Sequence, residues 1–127
     1  MASSFSLHVK IYIDPSNVEK FLEHFKPVYD AVVKEPECRF FELHQDPANP
    51  GTLTWVENWH VLSSSFQGNH ANNISRNTTT QWFMENQMTK AYYEPYLAAT
   101  EPMFVKPREF KIYNRLAPDY CMAKDQY

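Results

Sequence analysis

The sequence predicts an α+β domain in which helices cover one face of a four-stranded antiparallel sheet. Hydrophobic residues recur with the period of a strand or of a helix, in the order strand, helix, strand, strand, helix, strand. That order is the ferredoxin-like, or split βαβ, arrangement. With 127 residues and no internal repeat, the chain is predicted to be a single domain over residues 1–127.

The first strand and the first helix have clear signals. Residues 5–13, FSLHVKIYI, alternate between apolar and polar side chains, which predicts a strand with one buried face. The helix that follows is expected to begin at a capping box formed by Ser16 and Glu19. Pro27 is expected to bend this helix and Pro36 to end it.

The next two strands are predicted to form a hairpin. Residues 38–46 and 52–59 are rich in aromatic and β-branched residues and are separated by the turn-rich sequence DPANPG. Within TWVENWH, the two-residue period places Trp55, Glu57 and Trp59 on one face of the third strand. This arrangement raises the question of whether the two indoles are core or the wall of a site.

The second half of the chain is predicted to be helical from about Ser63, then to form a polar loop over residues 71–81. A second amphipathic helix is expected over residues 82–97, with a kink at Pro95. Residues 109–116, EFKIYNRL, predict the fourth strand, and residues 117–127 form a tail.

Composition excludes several classes of function. A net charge of −3 gives no basic field for nucleic acid and no polybasic membrane patch, and no apolar run reaches the length of a membrane span. Two glycines leave no phosphate-binding loop, and no CxxC or HExxH pattern marks a metal site. Cys38 and Cys121 are expected to be free thiols and, with no signal peptide evident, the protein is expected to be cytoplasmic.

The stretch KFLEHFKPVYDAVVKEPECRFFELHQD, followed by PGTLTWVENW, resembles the antibiotic biosynthesis monooxygenase family of dimeric α/β barrels. The family has a helix ending in Glu-Pro-Gly-Cys, two strands of which the second closes in Glu-x-Trp, and a helix carrying a histidine. Here EPEC at 35–38 departs from the first motif only at Glu37, Trp59 falls on the family tryptophan, and His70 lies near the family histidine. KAYYEPYL at 90–97 and the last strand are also similar to the family. Residues 71–88 are longer than the usual family connection and are a candidate lid.

The resemblance implies a homodimer formed through the open sheet face, with one pocket per subunit between sheet and helices. It also implies a cofactor-independent monooxygenase, because several members oxidise polyketide anthrones or phenols to quinones with dioxygen and without flavin, metal or haem. An electron-rich enolate or phenolate can itself reduce dioxygen, so the protein need only bind, deprotonate and orient its substrate and exclude water. The expected substrate is a small aromatic, phenolic or enolisable secondary metabolite.

The candidate catalytic residues are His70, Glu57 and Trp59. The Trp59 N–H could donate to a substrate oxygen, or the indole could simply belong to the core. If Glu57 faces a closed pocket, desolvation should raise its pKa and make it a base; alternatively it lies near the strand end, paired with Arg or Lys. His70 is a second candidate base, or a surface histidine.

The candidate substrate-binding residues are Trp55, Val9, Phe66, Phe83 and Tyr92. The resemblance aligns Trp55 with an asparagine that contacts the substrate in anthrone-oxidising members of the family. Because this chain has a tryptophan there, anthrone itself is a less expected substrate. Phe83 lies in the candidate lid, which could instead be an ordinary amphipathic helix. Tyr92 is expected to donate a hydrogen bond into the pocket.

Other functions remain open from the sequence. The same barrel hosts non-oxidative cyclases, isomerases and decarboxylases, which need only a base and a pocket. The haem-degrading branch of the fold carries an asparagine on the first strand where this chain has Val9, which disfavours that function. A dimer that binds a ligand without chemistry is the fourth alternative, since fold alone does not fix function.

Overall fold

The computed structural model describes residues 2–62 and 81–125 of the chain. Its strands are β1 (Ala2–Tyr12), β2 (Cys38–Gln45), β3 (Thr52–Leu62) and β4 (Glu109–Asn114). Helix α1 spans Val18–Val32, a π-helical turn spans Phe83–Gln87, and helix α2 spans Tyr93–Thr100. Short 3₁₀ turns at Pro15–Asn17 and Glu101–Met103 precede α1 and follow α2. Across the described ranges, no helix has the length and apolar character needed to cross a membrane.

The four strands form one antiparallel sheet in the order β2-β3-β1-β4. Glu57 of β3 pairs with Leu7 of β1 on one side and with Phe41 of β2 on the other, and Leu7 pairs in turn with Ile112 of β4. The predicted ferredoxin-like topology is therefore confirmed. Because side chains alternate along each strand, this row of paired residues projects from the same face of the sheet.

The helix-covered face of the sheet carries the core. Every second side chain of the two central strands is buried there: Phe5, Leu7, Val9 and Ile11 on β1, and Leu53, Trp55, Glu57, Trp59 and Val61 on β3. Helix α1 packs on them through Phe21, Phe25, Val28 and Val32, which recur at helical spacing. Burying one apolar face of a sheet under one apolar stripe of a helix is what holds the two layers together.

The opposite face of the sheet is uncovered within the described part of the chain. His8 and Lys10 of β1 are exposed there, Tyr113 of β4 is 46% exposed, and Phe40 of β2 is half-buried. Asn58 also lies on this face, beside Ser6 and Phe40 in the strand register. The homodimer expected through this face stays a prediction.

The start of α1 differs from the predicted capping box. Asp14, rather than Ser16, makes the local cap: its Oδ1 accepts the Ser16 N–H at 2.9 Å, which begins the short 3₁₀ turn. The N-cap of α1 itself is Asn17, which makes no side-chain cap bond. Helix α1 continues through Pro27 and ends at Val32, before the proline predicted to end it.

The second helical region is broken where one continuous helix was predicted. The π-helical turn ends at Gln87, the chain turns over residues 88–92, and α2 begins at Tyr93. Pro95 therefore lies in the first turn of α2, where a missing N–H costs no internal hydrogen bond, and it makes no kink. Strand β3 runs to Leu62, past its predicted end. The helix expected from Ser63 and residues 71–80 of the predicted loop over 71–81 lie outside the described residues.

Gly51, in the turn between β2 and β3, lies against the end of β1. Its carbonyl accepts the Ile13 N–H at 2.8 Å, and a Cβ atom at Gly51 would stand 1.9 Å from the Ile13 carbonyl oxygen and 3.2 Å from the Pro15 nitrogen. Both neighbours are backbone atoms, so no side-chain rearrangement can make room.

We therefore expect Gly51→Ala to lower the free energy of unfolding by about 2 kcal/mol, because the backbone must shift to admit the methyl group. Urea titration followed by far-UV circular dichroism measures this loss. Ala48→Gly, at an exposed position of the same turn, serves as the control and should change stability by less than about 1 kcal/mol. Equal stability of Gly51→Ala and the wild type would contradict the close contact.

Candidate active site

A cavity that is open to solvent at its mouth lies between the helix-covered face of the sheet and the helical segments. Its lining residues are Leu7, Val9, Phe25, Val28, Val32, Phe41, Trp55, Glu57, Phe83, Met84, Met88, Tyr93, Tyr96, Arg108 and Phe110. Nearly all are apolar or aromatic, with a few polar groups, which is the usual composition of a small-molecule site.

Glu57 is the acidic side chain among the described lining residues, and it is 6% exposed. Each of its oxygens accepts one indole N–H: Trp55 Nε1 donates to Oε2 at 2.9 Å, and Trp59 Nε1 donates to Oε1 at 3.0 Å. The two-residue period of the strand places one tryptophan on each side of the carboxylate. Glu57 forms no salt bridge with any described residue, so the alternative of a strand-end glutamate paired with Arg or Lys is wrong.

Burial raises the pKa of Glu57 from the ordinary value of 4.5 to about 7, although the hydrogen bonds from Trp59 and Trp55 oppose the rise. Neutral N–H donors stabilise the carboxylate but supply no positive charge, so desolvation outweighs them. A carboxyl group with a pKa near neutrality can take a proton from a bound acid and release it again, which is the requirement for a general base.

Trp55 combines two roles in the cavity wall. Its N–H fixes one oxygen of Glu57, and its ring packs on Phe25 with 4.8 Å between centroids and on Phe21 with 6.4 Å. It is 5% exposed and lines the cavity, and its role in substrate binding stays a prediction. The indole therefore gives a ligand a rigid aromatic surface directly beside the carboxyl group.

Trp59 lies behind Glu57 and away from the cavity. It is fully buried, packs against Phe83 at 5.5 Å and Trp82 at 6.2 Å, and does not appear among the cavity-lining residues. Its N–H donates to Glu57, which is not the predicted donation to a substrate oxygen, and its burial agrees with the alternative that the indole belongs to the core. Trp59 instead positions the carboxyl group from the core side.

Tyr93 and Tyr96 line the cavity, whereas Tyr92 does not. The Tyr92 hydroxyl donates to Glu35 Oε2 at 2.7 Å and accepts from Gln87 Nε2 at 2.6 Å, which corrects its predicted orientation into the pocket. Gln87 Nε2 also donates to the Tyr93 hydroxyl oxygen at 3.0 Å, so the Tyr93 O–H can be donated to a ligand oxygen. Burial raises the pKa of Tyr93, which keeps it a neutral donor.

Glu35 anchors this group of hydrogen bonds to the end of α1. Besides Tyr92, it binds Lys90 Nζ at 2.5 Å. Burial alone would raise the pKa of Glu35, but the hydrogen bonds from Lys90 and Tyr92 together bring it below the ordinary value. The polar contacts fix the segment over residues 87–93, and through Gln87 they fix the Tyr93 hydroxyl group.

The described part of the candidate lid, residues 81–88, forms one side of the cavity. Phe83, Met84 and Met88 line it, and Met84 is 45% exposed at the mouth. Thioether side chains adapt to the shape of a ligand, which suits this position. The lid role stays a prediction, since residues 71–80 lie outside the described range.

The remaining predicted residues divide into two groups. Val9 lines the cavity as expected. His70 and Phe66 lie outside the described residues, so their positions relative to Glu57 stay predictions. The predicted set missed Arg108 and Phe110, although the alternation of β4 from a correct register would have placed both on the cavity face.

Comparison with known proteins agrees with this geometry. Residues 4–71 match the family model described as antibiotic biosynthesis monooxygenase. The chain is 33% identical over 113 residues to "Putative monooxygenase GME11364" of Pestalotiopsis microspora, covering 89% of this chain and 80% of that protein. Among solved structures, "Putative antibiotic biosynthesis monooxygenase from Nitrosomonas europaea" superposes with a TM-score of 0.65 at 16% identity over 93% of this chain and 95% of that one. A conserved protein from Methanosarcina mazei Go1 gives 0.63 at 18% identity, over 89% and 93%.

The fold and the cavity thus define a ferredoxin-like domain with an aromatic, carboxylate-bearing pocket under its helices. The match over more than half of the chain, together with the 33% identical relative, shows that the protein belongs to the antibiotic biosynthesis monooxygenase family. The family and the relative support monooxygenase activity in general terms.

Glu57 should make stability depend on pH. Its folded-state pKa lies above the unfolded value, so the folded protein holds the proton more tightly, and stability falls as pH rises from about 4.5 through about 7. Between about pH 5 and about pH 8, we expect the free energy of unfolding of the wild type to fall by about 2 kcal/mol relative to Glu57→Gln, which cannot ionise.

Urea titrations at a series of pH values measure this difference. Glu23→Gln, at an exposed position of α1, serves as the matched control and should follow the wild type across the series. Glu57→Gln should itself be less stable than the wild type at low pH, because its amide group cannot accept both indole N–H bonds. Parallel pH curves for wild type and Glu57→Gln would contradict a raised pKa.

Proposed function

We propose that this protein is a cofactor-independent monooxygenase that oxidises a small aromatic, phenolic or enolisable metabolite with dioxygen. The observation that carries the proposal is the Glu57 carboxyl group, buried at the wall of an apolar cavity and held by two indole N–H donors. Family membership supports the oxidative direction of the chemistry. The protein is proposed to act as a homodimer through the open face of its sheet.

Glu57 acts as the general base in this proposal. Its ionised form removes a proton from a phenol or from an acidic C–H next to a carbonyl, and the product is an electron-rich phenolate or enolate. The carboxyl group that results is neutral, which suits its buried position better than the charge did. The indoles of Trp55 and Trp59 hold both oxygens in place, so little reorganisation accompanies the proton transfer.

Tyr93 acts as the hydrogen-bond donor to the oxygen on which negative charge develops. Tyr93 lines the cavity, and its hydroxyl oxygen accepts a hydrogen bond from the Gln87 side chain. A donor of this kind stabilises a developing oxyanion strongly in a water-poor cavity. The apolar residues around it exclude water, which limits quenching of the anion by protonation.

The substrate supplies all the electrons that reduce dioxygen, so the reaction needs no other reductant. In the oxidation of an activated CH₂ to a carbonyl, the substrate gives up four electrons and two hydrogens. One oxygen atom of dioxygen becomes the carbonyl oxygen, and the other leaves as water. The protein residues move a proton and orient the substrate, and the anion itself supplies the electrons.

Replacing the base should abolish most of the activity. We expect Glu57→Gln to lower kcat/KM for oxygen uptake by at least about 100-fold with a phenolic or enolisable substrate, because no other acidic side chain among the described residues lines the cavity. In the wild type, kcat/KM should rise with pH through a midpoint near 7, since the base must be ionised.

The test uses a panel of anthrones, naphthols and 1,3-diketones, with ¹⁸O₂ and mass spectrometry to follow one labelled oxygen into the product. Glu23→Gln again serves as the control and should retain wild-type rates. Turnover that proceeds equally well without oxygen would identify a non-oxidative cyclase or isomerase instead. Unchanged oxygen uptake in Glu57→Gln would exclude Glu57 as the base.

A further inference from the structure

Arg108 is the positively charged side chain among the described lining residues of the cavity. It lies one residue before β4, is half-buried, and shares the cavity-facing side of that strand with Phe110. Its charge acts on Tyr96 in the cavity wall: burial raises the pKa of Tyr96, and the nearby guanidinium opposes that rise. Arg108 therefore presents a positive charge to a cavity whose other lining residues are mostly apolar or aromatic.

Arg108 forms no salt bridge with any residue in 2–62 or 81–125. Residues 63–80 contain neither Asp nor Glu, so this segment carries no carboxylate that could pair with it. Arg108 is only half-buried, so its charge remains partly solvated, and no carboxylate of the described residues lies within ion-pair distance of it. Among the described residues, therefore, no carboxylate competes with a ligand for the guanidinium.

Glu57 and Arg108 line the same cavity from two different parts of the sheet. Strand β1 separates β3 from β4, so the two residues are two strand spacings apart, about 10 Å. Arg108 also precedes Ile112, which is level with Glu57 through Leu7, by four residues, or about 13 Å along the strand. A ligand that contacts both side chains therefore has to extend across the cavity from the β3 side to the β4 side.

We propose that Arg108 binds a carboxylate of the substrate, so that the substrate class is an aromatic carboxylic acid whose phenol or enol lies at the opposite end. This proposal rests on the proposed function for the role of Glu57, and it adds the recognition of the substrate. The planar guanidinium fork matches a carboxylate with two parallel hydrogen bonds. Glu57 favours the same orientation, because its own negative charge repels a carboxylate from its end of the cavity.

The probe pair for this proposal is 6-hydroxy-2-naphthoate and its methyl ester, which carry a phenol at one end and differ only in the charge at the other. Isothermal titration calorimetry under nitrogen measures binding to the intact protein without turnover. We expect the acid to bind about tenfold more tightly than the ester, and Arg108→Gln to remove this preference while changing the affinity for the ester by less than about twofold. Arg108→Lys should retain part of the preference, because it keeps the charge but not the fork.

Lys106→Gln is the matched control, since it removes the same charge two residues away from an exposed side chain over the Tyr12 ring. It should keep the preference for the acid. Equal affinities of acid and ester for the wild type, no binding of the acid, or an equal loss of both ligands in Arg108→Gln would overturn the proposal.

The two proposals fail separately. Selective, Arg108-dependent binding of the acid without oxygen uptake would support the carboxylate site and count against the oxygenase. Oxygen uptake with neutral phenols, together with no preference for the acid, would support the oxygenase and contradict the carboxylate site.

Discussion

Two indole N–H groups, from Trp55 and Trp59, each donate one hydrogen bond to the Glu57 carboxyl group in the middle of the sheet. A buried carboxylate without donors would be far too costly, and one paired with a cation would stay ionised at every physiological pH. Neutral donors give an intermediate result, a carboxyl group with a pKa of about 7. The triad thus converts an unfavourable buried acid into a group able to exchange a proton near neutrality.

The surrounding structure keeps these three side chains in place. The Trp59 ring packs against Phe83, and the Trp55 ring packs against Phe25 of α1. Because the core holds both indoles, the carboxyl group that they bind has little freedom to turn. Such preorganisation means that few groups have to move during proton transfer. The folded protein is less stable at pH values above the pKa of Glu57, because the buried carboxyl group is then ionised. Stability and chemistry therefore depend on the same hydrogen bonds.

Much of this could be predicted from the sequence, because strand periodicity is a local signal. The two-residue period placed Trp55, Glu57 and Trp59 on one face, and the order of the elements gave the sheet. The partners of each side chain could not be predicted, because they depend on packing between distant segments. The Trp59 N–H therefore turned out to bind Glu57 rather than face the cavity, and the break after the π-helical turn brought Tyr93 to the cavity in place of the neighbouring tyrosine.

The indole N–H resonances of the protein test the central interaction most directly. The chain has three tryptophans, so a ¹H–¹⁵N spectrum contains three such signals. The signals of Trp55 and Trp59 should shift together with one midpoint near pH 7, while that of Trp82, which donates no hydrogen bond to Glu57, should stay in place. A shared midpoint near 4.5, or signals that move independently of each other, would contradict a buried carboxyl group held by both indoles.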